Sequence, residues 1–110
     1  VMDPKAYDQK VSALFKQLLK AADAVDPDQL EADGTGEMVT FTAAGGQKVI
    51  VNTQRAVWQV WVAAGSQGIH FSWDEQAQSW RDDKGKGYEL YAFVQQAVRE
   101  ASGAELQLRP

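Results

Sequence analysis

Cysteine is absent from these 110 residues. That excludes disulfides, thiolate zinc sites, cysteine nucleophiles and cysteine-ligated iron–sulfur clusters, and it suits a reducing compartment. Long apolar runs are missing too. None approaches the roughly 20 residues of a bilayer-spanning helix, and no charged-then-apolar leader resembles a signal peptide, so a soluble, intracellular chain is expected. Val1 precedes Met2, which reads as the natural start. Positive charge is in short supply: 11 Lys and Arg stand against 15 Asp and Glu, a net charge of −4. Nucleic acid and anionic membrane surfaces, which need basic patches, are disfavoured as partners. Histidine occurs once, as His70 between Ile69 and Phe71, and offers no catalytic triad.

What is present suffices for one domain over residues 1–110, since 45% hydrophobic content can fill a core without covalent staples. Asp3-Pro4 opens a helix as N-cap and first-turn proline. Tyr7, Val11, Leu14, Phe15, Leu18, Ala22 and Val25 recur at spacings of three and four, which predicts a helix from about Pro4 to Asp23, stopped by Asp26-Pro27. The period then drops to two. Strands are expected around Val39 to Thr42, Lys48 to Asn52, Val57 to Ala63 and Ile69 to Trp73, with a short segment about Trp80. Their connections are too brief for crossovers, so they form an antiparallel meander. Leu90, Val94, Ala97, Val98 and Ala101 predict a second helix, ended by Ser102-Gly103, before an alternating tail, "ELQLRP", packed on a helix. The expected architecture is α+β, a two-layer sandwich with both helices on one face of an antiparallel sheet.

Two patterns point to function. From Asp23 to Glu37 the chain carries six carboxylates (Asp23, Asp26, Asp28, Glu31, Asp33, Glu37) and no Lys or Arg. A solvated loop is the plain reading of such a run. Yet Asp23 and Asp26 sit at a helix C-terminus, where the macrodipole disfavours negative charge by roughly 0.3–1 kcal/mol each. Oxygen-only ligands suit Fe³⁺, Fe²⁺, Mn²⁺, Ca²⁺ or Mg²⁺, but the spacing makes neither an EF-hand nor a closed cage, so metal would be held weakly at the surface. The second pattern is "NTQRAVWQVW", Asn52 to Trp61. By strand parity Trp58 and Val60 share the helix-facing side, while Trp61 shares the open side with Gln59 and with Asn52 nearby. An aromatic among amides on an open face is the composition of a protein-interaction hot spot. Gly85 and Gly87 lack the P-loop pattern, and neighbouring Asp82 and Asp83 do not imply an acid–base pair. No catalytic constellation is expected.

Asn52-x-Gln54, then Gln59-Val60-Trp61, followed by Gly68-x-His70-Phe71, resembles the frataxin family in its bacterial form, and the resemblance covers nearly the whole chain. It implies a non-enzymatic, cytoplasmic protein, monomeric without metal, that binds iron and regulates iron–sulfur cluster assembly through a cysteine desulfurase and its scaffold protein. Asp23, Asp26, Asp28, Glu31 and Asp33 would carry iron and meet the desulfurase. Asn52, Gln54, Gln59 and Trp61 would meet scaffold or desulfurase. The chain departs from the family pattern at Thr53, where a basic residue is usual, at Ala56 for Pro, at Ser72 for Asp, and at Lys10, Lys16, Leu19 and Lys20, which dilute the acidity of the first helix. The alternative is an interaction module that uses the open sheet face without metal, its acids serving only solubility.

Overall fold

Helix, meander, helix is the order found in the computed structural model, which describes residues 2–109; Val1, and with it the reading of Met2 as the start, lies outside the described residues, as does Pro110. Helix α1 is Pro4–Asp23, with the expected bounds. Asp3 caps it, its carboxylate accepting the Ala6 N–H at 2.8 Å. Tyr7, Val11, Leu14, Phe15 and Leu18 are buried along one face, each such side chain stabilising the fold by roughly 1.5–3 kcal/mol. Helix α2, Leu90–Ser102, is capped by the Glu89 carboxylate and ends where Gly103 turns left-handed at φ 77°, donating its N–H to the Arg99 carbonyl.

Six strands lie between them in chain order, all neighbours antiparallel: β1 (Leu30–Gly34), β2 (Met38–Ala43), β3 (Lys48–Gln54), β4 (Gln59–Ala64), β5 (Gln67–Asp74) and β6 (Ser79–Asp82). Their inward residues, among them Val39, Phe41, Val49, Val51, Val60, Val62 and Phe71, join the buried faces of both helices in one core. The two-layer α+β sandwich is therefore as expected. The tail buries Ala104, Leu106 and Leu108 while Glu105, Gln107 and Arg109 stay exposed, and Gln95 of α2 donates to the Leu106 carbonyl at 2.7 Å.

The structure corrects the expected strands in three places. The acidic stretch is not all loop: Leu30 and Ala32 turn inward and Glu31 and Asp33 outward, so it forms edge strand β1. The segment about Trp80 is strand β6, with Trp80 buried against Trp73 at 5.5 Å between rings. The strand expected from Val57 starts at Gln59, because Arg55–Val57 form a single 3-10 turn that Trp58 closes at φ 56°. A left-handed conformation is unusual for a bulky side chain. It is held there by packing, with the Trp58 ring 5.3 Å from that of Tyr7. Tyr7 also staples helix to sheet. Its hydroxyl donates to the Gln59 carbonyl at 2.6 Å and accepts the Gln54 N–H at 3.2 Å, on either side of that turn.

Candidate functional site

Register arranges the open face in rows across the strands. Met38, Asn52, Trp61 and His70 stand opposite one another on β2 to β5; the next row holds Gln54, Gln59, Ser72 and Arg81 on β3 to β6. Asn52 and Trp61 are thus direct cross-strand neighbours, as are Gln54 and Gln59. Strand parity had put Trp61 and Gln59 on this side, and there they are, both half-buried.

The side chains on β4 and β5 hold one another in place. Trp61 Nε1–H donates to Gln59 Oε1 at 3.0 Å, and Gln59 Nε2 donates to Ser72 Oγ at 3.1 Å and to Asp83 Oδ2 at 3.0 Å. His70 stacks on the Trp61 indole, with centroids 4.1 Å apart and planes 8° from parallel. Its Nδ1 lies 3.8 Å from the same Asp83 oxygen. Such a network fixes the Trp61 rotamer. Ser72, one of the departures from the expected family pattern, is one of its acceptors. His70, Ser72 and Asp83 had not been assigned to the face; parity along "GIHFSW" would have put His70 and Ser72 on one side, while Asp83 lies beyond the last strand.

The neighbouring loop is built on Asp82. Burial pushes its carboxyl up, but the N–H groups of Tyr88, Lys86 and Lys84 outweigh that and hold it below the ordinary carboxylate range. Asp82 and Asp83 therefore serve different structures, one the loop and the other the open face. Gly85 and Gly87, at φ 75° and 81°, supply the left-handed turns that bring those amides round.

The acids lie at one edge of the same sheet. Asp23 ends α1, Asp26 and Asp28 occupy the turn that follows, and Asp26 Oδ1 accepts the Asp28 N–H at 2.9 Å. Glu31 and Asp33 project from β1 beside Thr42 and Thr40, on the open side, three strand spacings or about 14 Å from β4. All five are exposed, and among the described residues none has a cation within 4.0 Å. Nor, among the described residues, do three Asp, Glu or His converge closely enough to enclose an ion. Glu37 is different. Hydrogen bonds from Arg55 and then Thr53 hold its carboxyl below the usual range, and Arg55 also pairs with Asp8 of α1. Thr53 is buried and part of that clamp.

Comparison with known proteins bears on all of this. The model of the frataxin-like domain matches residues 1–104. The chain is 37% identical over 105 residues to the iron–sulfur cluster assembly protein CyaY of Cupriavidus metallidurans, covering 96% of this chain and 87% of that one. The protein of the same name from Pseudomonas aeruginosa is 33% identical over 106 residues, 96% of each chain. Among solved structures, frataxin from Psychromonas ingrahamii shares the fold at a TM-score of 0.87 and 22% identity, over 99% of this chain and 100% of that one.

Proposed function

The chain belongs to the frataxin-like family, and from that premise we propose that it binds iron at its acidic edge and regulates iron–sulfur cluster assembly by docking on a cysteine desulfurase and its scaffold protein. As a member of that family it is not a catalyst. The observation that carries the reading is the match over residues 1–104, with relatives named for cluster assembly.

The geometry supports a division of labour. Asp23, Asp26, Asp28, Glu31 and Asp33 offer hard oxygen donors with no cation within 4.0 Å among the described residues, suited to iron as loosely held cargo and to a basic partner surface. Exposed, singly spaced carboxylates keep most of a bound ion's water, so affinity is weak and release is fast. Asn52, Gln54, Gln59 and Trp61 offer amides around a fixed indole, suited to a protein surface. Iron titration followed by amide NMR is expected to perturb residues 23–33 first; shifts scattered over the whole surface overturn the iron assignment. Binding to a purified desulfurase should weaken at least tenfold when the five acids are neutralised.

The lack of a converging ligand set among the described residues favours a second reading, an interaction module without metal. Pull-downs from iron-replete and iron-depleted lysate separate the two. Equal capture of the same partners in both favours the module.

A further inference from the structure

A third surface has the opposite charge. Lys10, Lys16 and Lys20 of α1, with Arg109 of the tail, border a cleft of about 520 Å³ between α1, the β5–β6 hairpin and the start of α2. These are four of the chain's 11 cations, on a molecule of net charge −4. Among the described residues none of the four has a carboxylate within 4.0 Å. The Lys10 ammonium is positioned nonetheless, lying 4.5 Å from the centroid of the Trp73 ring. That ring is itself fixed, since its Nε1–H donates to Glu75 at 3.0 Å.

Ser79 also lines the cleft. It is 4% exposed, and its hydroxyl is the one buried side-chain oxygen among the described residues without a hydrogen-bond partner. A buried hydroxyl left unpaired is costly, so it marks a place where an acceptor is expected. Tyr91 adds a phenol whose pKa burial, with Glu89, pushes up to about 12, so at neutral pH it remains a donor. Two acids stand nearby, and both are engaged. Glu89 caps α2 through the Tyr91 and Ala92 N–H groups, and Glu75 holds Trp73 and Gln78. Along the cleft four cations thus face one lining carboxylate, that of Glu89, among the apolar Leu14, Trp73 and Trp80.

The volume is that of a small-molecule site, and Lys10 and Lys20 stand about 15 Å apart along α1, farther than one phosphate reaches. We propose that this cleft binds a small, elongated polyanion, a phosphorylated or polycarboxylate metabolite, through Lys10, Lys16, Lys20 and Arg109, with Ser79 as a buried donor. The site is separate from the acidic edge and from the open sheet face. It gives the molecule a ligand input independent of iron.

The test is titration of the metal-free protein with inorganic tripolyphosphate and, separately, citrate at constant ionic strength, followed by amide NMR. Saturable shifts centred on Lys10 to Lys20, Trp73 and Ser79 are expected with at least one probe, and the tighter probe names the anion class. Lys10→Gln combined with Lys16→Gln should weaken binding at least tenfold, while Lys48→Gln, on strand β3 and away from the cleft lining, leaves it unchanged. Ser79→Ala should weaken it about threefold without lowering the melting temperature. Shifts that sodium chloride reproduces, or unchanged affinity in the double variant, overturn the proposal.

Discussion

Glu31 and Asp33 of the acidic edge share one side of the sheet with the amide face, about three strands away, while Asp23, Asp26 and Asp28 lie on the end of α1 and the turn after it; the two regions are built on different principles. Among Asp23, Asp26, Asp28, Glu31 and Asp33, the side-chain bond found is local, from the Asp28 N–H to Asp26. Gln59, Trp61, Ser72 and Asp83 share a hydrogen-bonded chain, with His70 stacked on top. A region of loose like charges attracts at a distance and depends on salt. A region of fixed donors and aromatic surface recognises shape at contact. The difference teaches that long-range charge and fixed contact surface can be separated on one small domain, and that substitutions in the two should act separately.

The largest expected effect comes from below the face. Tyr7→Phe removes the hydroxyl that serves both the Gln59 carbonyl and the Gln54 N–H, leaving two backbone groups without that partner. We expect a loss of about 2–3 kcal/mol in urea unfolding, with the adjoining ends of β3 and β4 loosened beneath the amide face. Trp61→Ala should cost partner affinity roughly 30-fold, as hot-spot residues do, for about 1–2 kcal/mol of stability. A stability loss of ~3–5 kcal/mol would instead mean a core Trp and dissolve the contrast. Gln59→Ala cuts the chain at its branch point, and about 1 kcal/mol in unfolding is expected with Trp61 still in place.

Smaller still, neutralising Asp26, Asp28, Glu31 and Asp33 together should shift stability within about ±0.5 kcal/mol while flattening the salt dependence of partner binding. The acid limb of the stability curve should follow three other carboxyls. Glu37, Glu75 and Asp82 have carboxyls held below their ordinary values, Glu37 by Arg55 and Thr53, Glu75 by Gln78 and Trp73, and Asp82 by backbone N–H groups that outweigh its burial. Their contribution is therefore full above the unfolded-state values near pH 4 and is lost as pH falls through the lower folded ones. Melting temperature against pH, with Glu37→Gln beside the parent, checks this.

The sequence was most legible where one period dominated. Helix α1 could be read to its ends because the Asp3-Pro4 start, the apolar stripe and the Asp26-Pro27 stop agree. Strand β1 escaped because four polar or small residues follow Leu30, and charge density masked the alternation of Leu30 and Ala32. Trp58 lies on the helix-facing side that parity gives it, but it reaches the core from a left-handed turn before β4 and not from the strand. In the candidate site, parity found Trp61 and Gln59, but pairing them with Ser72 and Asp83 needed the β4–β5 register and the loop after β6, neither of which is written locally.

The stack of His70 on Trp61 gives the molecule an optical handle of its own. Indole emission responds to whatever lies against the ring, and among the described residues only this indole faces an imidazole, on the side open to solvent. A partner that slides between the rings, or presses them closer, changes the brightness and colour of that one residue. Docking on this face is therefore expected to announce itself in intrinsic fluorescence, with no label attached and with Trp61→Phe as its silent control.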